Sequence, residues 1–291
     1  MKIQKLFSFF LLSCAAAYSQ GYVDLVRFDG HYSNVRNDSD QKKELFIIQT
    51  QFFIPLIQKN ERSFFLNPRF ERIFLNSEDK KFNLLHSAYP FGFKSNFNKK
   101  WGFTSIIIPR INGISNNSFQ IGTLNTLNVN NSENLSQRLG LYFNTEFFGP
   151  FLVPLYGIDW KFKQKWRLYG LFPFSMAIEN RNSAVIAYGL VFNAIINSFR
   201  PMHSIASVGY IQRNSNELNF YFDYFFFKNF VFEGRIGYSF GRKYTGYHEK
   251  DKVDLQISLV RFGDHRPEIK PIIEDGMIIQ LSILYRFKTD Y

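Results

Sequence analysis

Apolar and polar side chains alternate with a period of two along most of the chain from Tyr22 to Phe287, and that period belongs to half-buried β-strands. In the first such stretch Val26, Phe28 and Tyr32 share one face, and Arg27, Asp29 and His31 the other. Leu139, Leu141 and Phe143 likewise oppose Arg138, Asn144 and Glu146. Phe220, Phe222 and Tyr224 oppose Asn219 and Asp223. At the end Met277, Ile279, Leu281 and Ile283 oppose Gln280, Ser282 and Arg286. A soluble sandwich also alternates, but it hides its apolar faces between two sheets. Here Phe, Tyr and Trp reach 19% of 291 residues, close to the 20% that are charged. Segments of about ten residues, aromatic on one face and polar on the other, are the pattern of a transmembrane β-barrel. No apolar run of about 18 residues occurs, which excludes a bundle of membrane helices.

The alternation divides into the segments 22–33, 44–57, 62–75, 82–94, 101–111, 118–129, 135–148, 152–163, 166–178, 183–195, 203–213, 217–227, 230–240 and 276–287. The predicted fold is all-β, a single antiparallel transmembrane β-barrel of about 14 strands, with about 12 as the alternative count. Parity supports the larger number. The connections around Lys99-Lys100-Trp101, Lys163-Gln164-Lys165-Trp166 and Phe227-Lys228-Asn229-Phe230 are short, basic and then aromatic. They follow the fourth, eighth and twelfth segments, so all fall on one side, as the short periplasmic turns of a bacterial barrel do. The weakest segment is 118–129, where Thr123 and Asn125 fall on the outer face. No linker and no solenoid or propeller period stands out, so residues 20–291 read as one barrel domain.

The start of the chain is an address. Lys2 and Lys5 precede the apolar stretch 6–12, and Ala15-Ala16-Ala17-Tyr18-Ser19 supplies small residues for a signal peptidase. Residues 1–19 are read as a signal peptide that exports the chain to the cell outer membrane. Leu11-Leu12-Ser13-Cys14 also loosely matches a lipid-attachment motif, and that alternative stays open. Cys14 is the lone cysteine, so no disulfide framework and no cysteine-based metal site is expected. The terminal Leu284-Tyr285-Arg286-Phe287 is a strand end of the kind that outer-membrane assembly machinery is expected to read.

Several stretches together resemble a family of uncharacterised bacterial outer-membrane β-barrels that carry a domain of unknown function. They are Tyr22-Val23-Asp24-Leu25, Gly140-Leu141-Tyr142-Phe143, Phe147-Phe148-Gly149-Pro150-Phe151, Pro154, Gly157-Ile158-Asp159-Trp160, Trp166-Arg167-Leu168-Tyr169-Gly170, Pro173 and Leu284-Tyr285-Arg286-Phe287. The resemblance implies location and fold and assigns no activity and no site residue.

Chemistry is sparse. His31, His86, His203, His248 and His265 have no metal-motif spacing, and no nucleophile elbow, phosphate loop or dinucleotide fingerprint occurs. Asp29 and His31, with His86, share the inner face, which a hydrolase would need, but an inward histidine in a polar lumen is more often only hydrogen-bonded. We expect no enzyme, no cofactor and no metal. The net charge of +11 does not point to nucleic acid, because Lys42-Lys43, Lys80-Lys81 and Lys99-Lys100 sit in connections rather than along one element. Outer-membrane lipids with anionic head groups are the expected partners of these rims, beside the bland reading of solvated loops.

The inner face is the candidate site. Phase turns Arg27, Arg69, Arg138, Arg167, Arg235 and Arg286 into the lumen, together with Asp29, Glu71, Glu146, Asp159, Asp223 and Glu233. A selective ion channel shows one sign in excess, whereas these signs balance. Two functions follow: a passive or gated conduit for small solutes, or a non-conducting structural or surface-interaction barrel. Of the two the conduit is favoured. The connection 241–275 is predicted to be a long extracellular loop with a local β segment at Val253, Leu255, Ile257 and Leu259, folded over or into the mouth.

Overall fold

The computed structural model describes residues 22–36, 42–59, 61–77, 80–114, 117–202, 208–227, 229–269 and 273–288. The expected signal peptide and Cys14 lie outside the described residues. Strand β1 (Tyr22–Arg36) is followed by β2 (Lys42–Phe52) and its continuation β3 (Ile54–Lys59). Then come β4 (Arg62–Leu66) with β5 (Arg69–Ser77), and β6 (Lys80–Ala88) with β7 (Phe91–Asn96). Strands β8 (Trp101–Ile111), β9 (Phe119–Ser132), β10 (Leu135–Glu146) and β11 (Gly149–Lys163) follow as simple hairpins. The remainder are β12 (Trp166–Phe172), β13 (Ser175–Asn180), β14 (Ile186–Phe199), β15 (Tyr210–Phe226), β16 (Phe230–Tyr247), the short pair β17 (Leu255–Ile257) and β18 (Val260–Phe262), and β19 (Gly276–Lys288). Three wall strands are each broken in two and β17 and β18 stand outside the ring, so these elements make a closed antiparallel barrel of 14 strands. β1 closes it against β19, from Tyr22 beside Lys288 to Asn34 beside Met277.

The outside of the wall is apolar because the period-two pattern holds it there. Phe28 (52% exposed), Ile48, Leu139, Phe220, Phe222 and Leu281 all point outward. The polar exceptions foreseen on β9 satisfy one another: Ser105 donates to Asn125 at 2.7 Å, and Asn125 to Thr123 at 3.0 Å. The breaks at Phe53, Asn67-Pro68 and Tyr89-Pro90 lie side by side in neighbouring strands. Across them the Phe52 amide donates to the Pro68 carbonyl, the Asn67 amide to Pro90 and the Tyr89 amide to Pro109. A proline cannot return a ladder hydrogen bond, so each leaves a gap in the regular pairing.

Two boundaries differ from expectation, and they cancel in the count. Segment 166–178 is two strands, β12 and β13, paired from Trp166 beside Asn180 to Leu171 beside Ser175. Pro173 stands in the turn, where its missing N–H costs nothing. Residues 203–207 lie outside the described residues, and the rest of segment 203–213 from Tyr210 joins segment 217–227 in the single strand β15, which carries only a register shift near Ser215. The short turns 97–100 and 164–165, and the step from β15 to β16, do fall on the side of the termini.

On the opposite side the wall does not end in an open rim. β14, β15 and β16 run on as a three-stranded flap that crosses the mouth. Gly241 takes a φ of 63°, and Gly241 with Arg242 opposes the single residue Ser215, a glycine bulge that bends the paired strands. Beyond the bend Phe199, Ile211 and Tyr244 pack with Ile273 against Leu45, Ile47, Ile73, Leu75, Phe82 and Leu84 of the far wall. The connection expected at 241–275 is shorter, because β16 continues to Tyr247. Of its expected local β segment only Leu255–Ile257 is strand, as β17, and it pairs with a second short strand, β18, that the alternation did not mark. β17 lies parallel to β11, Phe151 beside Gln256 and Leu152 beside Ile257, above the short β12–β13 hairpin.

Candidate functional site

Beneath the flap lies a chamber of about 540 Å³. Its wall is divided by strand. The arc from β15 through β16, β19, β1, β2, β5 and β6 presents Arg213, Glu217, Arg235, Gln280, Arg27, Asp29, His31, Gln49, Arg69, Glu71 and His86. The arc from β8 to β14 presents mainly Ile106, Ile108, Leu124, Leu171, Phe174 and Ile196, with Ser175, Asn193 and Asn197 as polar positions among them. Tyr142 joins this apolar arc, and Arg110 stands at its edge.

The predicted inward charges pair with one another along a strand, between neighbours or across one intervening strand, as balanced signs would. Arg27 donates to Asp29 at 2.8 Å and to Glu233 at 2.5 Å, and Arg235 donates to the same Glu233 at 2.8 Å. Arg286 bridges Asp223 at 2.6 Å and Asp24 at 2.5 Å, and Arg167 donates twice to Asp159. Glu71 receives Arg213 at 2.8 Å from β15, a strand that does not neighbour β5, so this pair spans the lumen. Glu146 accepts from Arg110, from Asn144, and from both the amide and the hydroxyl of Ser198. It thereby fastens the top of β14 to the top of β10.

Of the twelve predicted residues the chamber gathers Arg27, Asp29, Arg69, Glu71 and Arg235. A smaller cavity of about 170 Å³ on the terminal side holds Asp223, Glu233 and Arg286, again with Arg27 and Arg235. Arg138, Glu146, Asp159 and Arg167 line neither; Arg138 lies beside Gly157 of β11. His86 meets Asn112 through Nδ1, and both His31 and His86 look into the chamber.

Several site residues were missed. Arg213 and Glu217 fell at the ends of two supposed segments, although their odd numbering continues the inward phase of Asn219 and Asp223. Arg110 follows Ile106-Ile107-Ile108, where three isoleucines in succession erase the alternation. Arg242 lies inside what was read as loop, yet it is 1% exposed and donates to the Glu274 carbonyl and to Ser33 of β1.

Residues 248–269 cover the outer face of the flap. Arg266 donates to Tyr210 at 3.1 Å and Gln212 at 3.0 Å, and its guanidinium lies 4.3 Å from the centre of the Tyr247 ring. Asp264 binds the same guanidinium. The hydrogen bonds and charge of Arg266 hold the Asp264 carboxyl down to about 2.

Among solved structures the chain is similar to an outer-membrane channel from Pseudomonas putida F1, at 7% identity, 91% of this chain, 95% of that one and a TM-score of 0.47. It is also similar to a deletion mutant of the TodX monoaromatic hydrocarbon channel, at 10% identity, 90% and 89% coverage and a TM-score of 0.42. NanC porin gives 8% identity, 89% and 98% coverage and a TM-score of 0.37. No protein-family model and no curated protein matches the chain. The fold rests on the strand ladders described above, and these likenesses add nothing to its chemistry.

Proposed function

We propose that this barrel spans the outer membrane as a gated conduit for small solutes, with the tops of β14, β15 and β16 as its gate. One observation carries the reading: the mouth is shut by strand tops that hinge at a glycine bulge and seal by apolar contact over a chamber. Apolar contact is reversible, and removing a few such side chains loosens it without cutting the wall. Export by residues 1–19, reading of the last strand by the assembly machinery and contact of the basic rims with anionic lipid belong to the same reading. Carbonate extraction checks the location: release of the protein as a soluble species would end it.

Planar-bilayer recording of the purified protein tests the conduit. Rare, brief steps are expected from the native chain, and frequent steps from a Phe199→Ala, Tyr244→Ser double variant. A second reading, a barrel that conducts nothing, is favoured by the two apolar clusters that fill the mouth on both sides of the flap. Silence from native and loosened barrels alike supports it. Neither reading gives the protein a catalytic role.

A further inference from the structure

We propose that the chamber takes a small amphipathic anion: an apolar body, aromatic or aliphatic, carrying one carboxylate. The proposal names the solute of the conduit and so rests on that reading. The chamber makes two demands at once. The chamber favours negative charge, because five arginines, Arg110 at the edge of the apolar arc included, but only three carboxylates line it. The paired acids also stand behind their partners on the charged arc. The Arg27 side chain is 14% exposed and Arg235 16%, while Asp29 and Glu233 are 2% and 3%. Arg69 is exposed to the cavity. Arg213, deeper and paired with Glu71, is the exception to this order.

Two lining donors lack a protein acceptor. The Nε atoms of Arg110 and Arg213 are buried and make no hydrogen bond among the described residues. Those two atoms lie inside the wall, so a carboxylate in the chamber meets instead the accessible guanidinium groups of Arg27, Arg69 and Arg235, in charge-assisted hydrogen bonds of about twice the neutral strength. Asn197 carries the one orphaned acceptor on the lining, and its amide satisfies either role when turned.

The opposite arc excludes a simple inorganic ion as the fitting ligand. Ile106, Ile108, Leu124, Leu171, Phe174 and Ile196 make up most of it and offer nothing to hydrogen-bond with, against the neutral amides and hydroxyl of Asn193, Asn197 and Ser175. A phosphate would leave that surface wet, and a neutral hydrocarbon would leave the guanidinium donors unmatched, which is costly for buried polar groups. An amphipathic anion meets both arcs. The chamber volume is that of ordinary small-molecule sites, which run from about 300 to 1,000 Å³.

The test is calorimetric titration of the full-length protein in lipid nanodiscs, with empty nanodiscs subtracting partition into lipid. The probes are 4-phenylbutyrate, its neutral amide, butyrate, and 4-phenylbutylamine. The acid should bind at least about tenfold more tightly than each of the other three, as a site built around specific donors discriminates. Arg69→Gln should weaken the acid at least about fivefold and leave the amide unchanged, and Leu124→Asn should weaken it through the apolar arc. Heat-modified gel mobility confirms that each variant is a closed barrel. If the amide binds as well as the acid, the amine binds better, or nothing exceeds empty discs, the proposal falls. Solute flux into vesicles separates the two readings. Tight binding of the acid without flux overturns the conduit and keeps the ligand; flux of sugars and acid alike, without selective binding, does the reverse.

Discussion

Replacing Phe199 with alanine should unlatch the gate while leaving the barrel assembled. Phe199 is fully buried at the tip of β14, against Leu84 and its neighbours on the far wall, with His86 at its ring edge. Truncating a buried phenylalanine costs about 3–5 kcal/mol, from lost transfer energy and the cavity left behind. Phe199 meets the far wall only when the flap is folded in, so that cost falls on the closed state. At about 1.4 kcal/mol per factor of ten, the ratio of open to closed should rise by roughly two to nearly four powers of ten. Single-channel recording reads it as open probability. The control is Leu284→Ala, equally buried but packed with Ala187, Phe225 and Val231 away from the flap. It should lower the free energy of unfolding in urea by about 2–5 kcal/mol and leave open probability alone. If both variants destabilise the barrel and neither changes opening, the flap is not a gate and the reasoning fails.

Other outcomes follow from the same contacts. Gly241→Ala forces a side chain into a φ of 63° at the bulge, where no atom lies nearer than Asn216 at 3.5 Å. The cost is backbone strain of about 1–2 kcal/mol, and it should raise open probability roughly 5- to 30-fold. Glu71→Ala strands Arg213, whose side chain is 4% exposed, and leaves it only Glu217 at 3.7 Å. A loss near the lower end of about 3–5 kcal/mol should appear in urea unfolding, together with looser gating. Phe222→Arg puts a charge on the outer face and should cost about 2–4 kcal/mol if it meets the bilayer midplane, read as a smaller heat-modifiable fraction. Full folding at native yield would show that this face does not meet lipid. Asp264 titrates near 2 in the folded loop and near 3.9 when free. Its contribution is complete above the unfolded value and is lost as pH falls through the folded one. The protection of amides in 261–269, taken relative to the intrinsic exchange rate at each pH, should therefore hold at pH 6 and fall between about pH 4 and 2; equal protection across that window would refute the assignment.

Strand phase was legible from the sequence because it depends on nothing but parity and water. The burial of Asp29, Glu71, Glu146, Asp159, Asp223 and Glu233 follows from it. Strand ends were less legible, since alternation reads the same through a turn. Phe172, Pro173 and Phe174 continue an apparent strand although the chain reverses there, and the proline was the available signal. Asn214-Ser215-Asn216 looks like a turn by composition, yet its polar side chains sit in a strand that has left the wall. The flap itself could not be read. Its seal joins Phe199 and Tyr244 to Leu45 and Leu84, and no periodicity records contacts between residues so far apart in sequence. The two-faced chamber was half visible: its charges were in phase, while the apolar inward residues of β8 and β9 were indistinguishable from lipid-facing ones.

The parallel contact of β17 with β11 has a consequence for how the barrel is made. The β12–β13 hairpin is too short to flank the upper part of β11, so that edge is covered instead by chain from beyond β16. The Val253 amide donates to the Phe148 carbonyl, and the Ser258 amide to that of Leu152. Until those residues arrive, β11 carries free backbone groups along a strand edge, the kind of surface that recruits a strand from another molecule. The seam is therefore finished by a segment synthesised about a hundred residues later, and loop closure over such a distance is slow compared with forming a hairpin. A chain stalled at that stage would have most of its ring built and one edge open. Cross-pairing between copies is then expected at Phe151 and Leu152 rather than along the completed wall.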